Sequence, residues 1–203
     1  MAGSSGSWGS SLSERDGARD GVNDGVLPLA VCERLCDALS KTATLDDALG
    51  HINAARQAVL GPGLLTVNLV QTPAGESSVE VQLQRLWSSN PEAYPVSGRK
   101  RKTLTPWSRQ LLLRAEVFIG EGDAALAVAF DDHARIASLG LHAVINVPLS
   151  EAGRCVATFN VLGTRPQWLG HELALVRLLA LLAAPWVLQA QRSAGLESFG
   201  NLP

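Results

Sequence analysis

A chain of 203 residues, 46% hydrophobic and 18% charged, can bury one sizeable core, and its formal charge of -2 gives no general basic surface for nucleic acid. Its three cysteines cannot all pair and lack the spacing of a secreted disulfide framework, which points to a reducing, cytoplasmic setting. No apolar h-region opens the sequence, so no secretory signal is read there.

Residues 1–26 are rich in Gly, Ser and Asp and hold too few apolar side chains to offset their ordering entropy, so a disordered tail is expected. Residues 27–191 read as a single domain, and residues 192–203 as a flexible C-terminal tail. Leu27–Ser40 and Thr44–Leu60 are expected helices. In the first, Leu29, Cys32, Cys36 and Leu39 recur at helical spacing, which makes the two cysteines core or interface thiols. Thr44 before Asp46 and Asp47 is an N-cap signal, and Gly61-Pro62-Gly63 ends the second helix.

Leu64–Val70 and Val79–Trp87 read as strands joined by a longer loop with Pro73 and Gly75. Ser88–Lys102 holds two prolines and a glycine and is expected as an irregular loop, a candidate pocket wall bracketed by Trp87 and Tyr94. Its basic run Arg99–Lys102 suits a solvated loop or the steering of an anionic ligand. Thr103–Val117 is an expected helix with Thr105 as cap and Pro106 at its first position. Phe118–Gly122 reads as a turn and Ala124–Phe130 as a short extended segment. Asp131–Leu139 reads as a short helix capped by one of its aspartates and stopped at Gly140.

The hairpin Leu139–Leu162 is the strongest signal: two β-branched apolar runs flank Ser-Glu-Ala-Gly. His142, Asn146, Thr158 and Asn160 interrupt it and need partners. A loop with residue 149 opposite 154 places Asn146 on the face of Cys155 and Phe159. A shift of one residue places it with Thr158 and Asn160. His142 and Asn146, four residues apart, share a face about 13 Å from each other. The last helix, about Trp168 to Gln191, carries one charge, Arg177, between Leu173 and Ala190. It reads as a helix packed on a sheet and a partner subunit, not as a membrane span. Pro185 lies within it.

Together these elements imply an α+β fold, a hairpin-linked antiparallel sheet with helices on its faces. The segments Arg85–Pro95, Phe130-Asp131, Ile136–Leu149 (IASLGLHAVINVPL) and Val156–Gly163 (VATFNVLG) resemble a GAF domain. The resemblance implies pocket-side helices and loops on one sheet face, and N- and C-terminal helices on the other that commonly form a dimer bundle. It implies a cytoplasmic small-molecule sensor working as a homodimer, free-standing because no further module is recognised, with no nucleic-acid or membrane partner. The NKxnFxxxDE-type motif of cyclic-nucleotide members is missing. So are a bilin-attachment cysteine in the pocket helix region and the cysteine set of the methionine sulfoxide reductases.

The expected ligand is a small aromatic or anionic metabolite. Trp87, Tyr94, Trp107 and Phe118 would form an apolar box with Ser89 beside it, while His133, His142, Asn146 and Asn160 set polarity. The alternative is a small enzyme or haem protein with His133 or His142 as base or ligand. No catalytic constellation, metal site or cofactor is legible in the sequence.

Overall fold

The computed structural model describes residues 28–71, 80–103 and 105–200, with side chains to Ser193. The expected tail over residues 1–26, and nearly all of the loop between the first two strands, lie outside the described residues. Six strands form one sheet: β1 (Gly63–Val70), β2 (Glu80–Ser88), β3 (Arg99–Thr103), β4 (Phe118–Glu121), β5 (Ala143–Glu151) and β6 (Arg154–Gly163). Their order is β3-β2-β1-β6-β5-β4, and every neighbouring pair is antiparallel.

One sheet face is covered by α2 (Leu45–Leu60) and α6 (Gly170–Gly200), with α1 (Leu29–Lys41) packed on α2. Thr44 caps α2 by accepting from the Asp47 backbone N–H, and Gly61 ends it at φ 75°. Leu49 and Ile52 of α2 meet Leu65 and Val67 of β1, Ile145 of β5, Phe159 and Val161 of β6, and Val176, Leu179 and Val187 of α6. Alternation along each strand sends these odd-numbered side chains to the helix face. The even-numbered ones, Thr66, Asn68, Val144, Asn146, Asn160 and Leu162, go to the other face. There α3 (Pro106–Ser108), α4 (Gly122–Ala129) and α5 (His133–Ser138) sit.

On α1 the buried side chains are Val31 and Leu35, while Leu29 and Cys36 are exposed. Helical spacing fits both stripes, and the one that met α2 was the β-branched Val31 row. Thr105 caps α3 as expected, closing a capping box with Ser108, but α3 then widens into a π-turn over Arg109–Leu113 instead of continuing as a regular helix to Val117. Phe118–Glu121 is not a turn but β4, paired to β5. Gly122–Ala129 is a helix and not an extended segment. Its four alanines favour a helix, and a short apolar run carries no period that separates the two. Arg99–Thr103 is an edge strand, ordered by pairing with β2. The last helix, expected to end at about Gln191, runs on to Gly200.

The β5–β6 hairpin turns tightly, Glu151 opposite Arg154, with Ala152 at φ 49° and Gly153 at φ 75°. Positive φ at both positions is the twist-matched two-residue turn. An irregularity after Leu149 leaves Val156 unopposed, and Asn146 faces Asn160 directly. The stretch Gly170–Ser193 of α6 is long and apolar enough to cross a membrane, but Val176, Leu179, Ala180, Ala183 and Val187 are built into this domain's core.

Candidate functional site

The sheet face that carries α3, α4 and α5 holds a small open cavity of about 70 Å³. Its floor is polar and belongs to the two central hairpin strands and β1. Asn146 Nδ2 donates to Asn160 Oδ1 at 2.7 Å, and Trp107 Nε1 donates to Asn146 Oδ1 at 2.9 Å. Asn160 Nδ2 in turn donates to the Thr66 carbonyl at 3.2 Å and Thr158 Oγ1 at 3.1 Å. Each amide is buried and each finds a partner, so the chain fixes the orientation of the next.

The walls are apolar: Leu64, Leu83, Phe130, Ile136, Val144 and Leu162. Trp107 meets Phe130 edge-on with ring centroids 5.4 Å apart, and Phe130 meets Phe118 at 6.3 Å. Phe118 therefore supports the wall from behind.

The mouth is charged. The Arg85 guanidinium lies 4.9 Å from the Tyr94 ring centroid, with Arg135 at 5.5 Å and the Lys100 ammonium at 5.8 Å. Lys100 pairs with Asp132 at 2.6 Å, and Lys102 with Asp131 at 2.7 Å, tying β3 to the start of α5. Burial opposes ionisation of Asp132, but the Lys100 hydrogen bond and charge outweigh it and hold the carboxyl below its ordinary range. Burial, reinforced by the Asp132 carboxylate, pushes the Tyr94 phenol up to about 12. Burial lowers the Arg85 pKa, and the nearby Asp132 carboxylate opposes that drift.

Both Arg85 and Tyr94 are more than nine-tenths buried, and both leave a polar atom unpartnered: Arg85 Nε and the Tyr94 hydroxyl. Arg85 Nη1 donates to the Pro95 carbonyl at 3.2 Å, which fastens the loop after β2. Among the described residues no group of three or more His, Cys, Asp or Glu side chains gathers.

The sequence matches the GAF domain family model over residues 28–185. The chain belongs to the GAF domain family. No curated protein matches it in sequence. Among solved structures it resembles the GAF domain of a phosphoenolpyruvate-protein phosphotransferase from Coxiella burnetii. The TM-score is 0.61 at 15% identity, over 85% of this chain and 99% of that one. It also resembles the chromophore-binding domain of a bacteriophytochrome from R. palustris, with TM-score 0.55, 13% identity, and 82% and 62% of the chains covered. A third is the GAF domain of a two-component sensor histidine kinase from Bacillus halodurans, with TM-score 0.53, 15% identity, and 73% and 99% covered. These likenesses establish the fold, with its curled antiparallel sheet and flanking helices.

Of the residues that the sequence put forward, this GAF domain brings Tyr94, Trp107, Asn146 and Asn160 to the cavity. Trp87 is not there. Val67 opposes Trp87 and Asn68 opposes Arg85, so Leu86 is an extra residue in β2. That bulge turns Trp87 to the helix face, where its Nε1 donates to Asp46 at 2.7 Å, and leaves Arg85 facing the cavity. Ser89 accepts from the Leu65 backbone N–H at 3.0 Å and lines a separate shallow cleft.

His133 is exposed at the start of α5, its Nδ1 3.1 Å from the Phe130 carbonyl. His142 precedes β5, shares the parity of Asn146, but stands past the cavity and pairs with Asp123 at 2.7 Å. Arg85, Lys100 and Asp132 were missed as individual site residues. The basic run was noticed, but its division into inward Lys100 and Lys102 and outward Arg99 and Arg101 follows only once β3 is known to be a strand.

Proposed function

We propose that this GAF domain is a cytoplasmic sensor that binds a small metabolite in the cavity between the sheet, Trp107 and Tyr94, and transmits occupancy through a homodimer of its terminal helices. The observation that carries this reading is the buried relay Trp107–Asn146–Asn160 at the cavity floor: an indole and two amides held in fixed orientation beneath an apolar wall. The R. palustris relative is a chromophore-binding domain, so a protein of this fold carries a ligand. A cavity of about 70 Å³ is far below the roughly 300–1,000 Å³ of drug-sized sites, so the ligand is small or enters as the loop and α3 part.

The dimer reading rests on α6. Ala174, Leu178, Leu181 and Pro185 recur at alternating spacings of four and three, and all four are exposed in the single chain.

The test is a thermal-shift screen of small metabolites followed by calorimetry, with mass spectrometry of whatever co-purifies. A saturable ligand that quenches or shifts tryptophan emission, and loses affinity in Asn160→Ala, supports the reading. Saturable binding that ignores Asn160 and Tyr94 substitutions overturns it.

A further inference from the structure

We infer that the Arg85–Tyr94–Lys100 corner of the cavity is an oxyanion subsite, built to take the carboxylate or phosphoryl end of a small ligand. The inference rests on the cavity reading above and names the chemistry of its ligand. Among the described residues, four buried side-chain polar atoms lack a hydrogen-bond partner, and two of them, Arg85 Nε and the Tyr94 hydroxyl, belong to side chains that line this one cavity, the hydroxyl lying beside the Asp132 carboxylate. A buried donor without an acceptor is costly, so two on neighbouring side chains mark a position where an acceptor belongs. One oxyanion supplies acceptors to both, because each of its oxygens takes more than one hydrogen bond.

Charge argues the same way. Three cations, Arg85, Lys100 and Arg135, lie within 6 Å of the Tyr94 ring centroid. The carboxylate lining the cavity is Asp132, and it is already engaged by Lys100 at 2.6 Å. The corner therefore keeps an excess of positive charge in a confined, partly desolvated site, where attraction for an anion is stronger than at an open surface.

Asp132 then has a second part. As the acceptor that occupies Lys100 in the empty protein, it competes with the incoming anion for that ammonium. The ligand must displace it or share the lysine with it. Arg85 ties the loop after β2 to the same corner through the Pro95 carbonyl, so anion binding stiffens that loop.

The experiment is calorimetric titration of the full chain with acetate, succinate and inorganic phosphate at matched ionic strength, with acetamide as the neutral isostere. The expected result is saturable binding of at least one oxyanion and none of acetamide. Acetate or succinate without phosphate identifies a carboxylate ligand, and phosphate alone a phosphoryl one. Tyr94→Phe keeps the ring packing and removes one donor, so it should weaken the anion severalfold without lowering the melting temperature. Arg85→Gln should weaken it about tenfold or more, the size of one charge-assisted hydrogen bond. Asp132→Asn should tighten it, because the competing charge is gone. An anion that binds equally well to wild type and Tyr94→Phe overturns the subsite. If neutral molecules bind with Asn160 dependence and no oxyanion does, the subsite falls and the cavity reading stands. If nothing binds, both fall.

Discussion

Trp107 donates its indole N–H to Asn146 Oδ1 at 2.9 Å, and this bond joins the short α3 segment to the middle of the sheet. Both residues are nearly inaccessible, at 6% and 2% exposure, so neither group can turn to water instead. Trp107 is thus core and cavity wall at once. Trp107→Phe keeps an aromatic wall but strips Asn146 Oδ1 of its donor, and should cost about 1–3 kcal/mol in urea unfolding. An unchanged midpoint would show that the relay contributes nothing to stability.

The exposed row on α6 sets the second expectation. Leu181 is 68% exposed and Leu178 45% exposed. Leu181→Glu should convert a dimer into a monomer by light scattering while leaving the melting curve cooperative. A wild-type monomer at micromolar concentration would remove the dimer from the proposal.

Thiol chemistry separates Cys155 from Cys36. Burial pushes the Cys155 thiol up to about 12, and its Sγ donates to the Ala157 carbonyl at 3.2 Å. Cys36 is exposed on α1. The thiolate is the reactive form. A disulfide reagent at neutral pH should label Cys36 quickly and Cys155 only on unfolding, as peptide mapping after timed quenching will report.

The hairpin turn holds Ala152 at φ 49°, a conformation that costs a residue with a Cβ roughly 1–2 kcal/mol. Asn tolerates it better. Ala152→Asn should stabilise the domain by up to about 1 kcal/mol, read as a rise in melting temperature of about 2–4 °C at this chain length.

Acid should act partly through Asp132. Its carboxyl is held below the ordinary range in the folded chain, so the unfolded state takes up the proton first. The stability it lends is present above the unfolded value of about 3.9 and fades as pH falls through the lower folded value. Asp132→Asn should flatten the stability-against-pH curve in that acidic window and leave its shape near neutrality unchanged.

The hairpin, the Thr44 and Thr105 caps and the sheet's helix face were readable because each is written in local pattern: β-branched alternation, a hydroxyl before a helix, glycine at a stop. The cavity was readable in part. Asn146 and Asn160 announce themselves as amides in apolar strands, and Trp107 as an aromatic one turn into a capped segment. What alternation could not reveal was the single extra residue, Leu86, that turns Trp87 to the helix face while Arg85 keeps the cavity face. Nor could it reveal that Asp131 and Asp132 turn from capping to pairing. That depends on β3 coming within reach, which is set by β2 pairing and not by any local signal. His142 fails for a third reason: parity assigns a face but not a distance from the strand's end.

Strand β3 forms one rim of the sheet and reads Arg-Lys-Arg-Lys-Thr. A rim strand leaves a row of backbone donors and acceptors open to any extended chain, and strands that pair sit about 4.8 Å apart. Another copy arriving there would set cation against cation, foremost at the outward Arg99 and Arg101, since Lys100 and Lys102 are engaged by Asp132 and Asp131. The basic run therefore keeps crowded copies of the domain from knitting together edge to edge, a service to solubility that holds whether or not anything occupies the cavity.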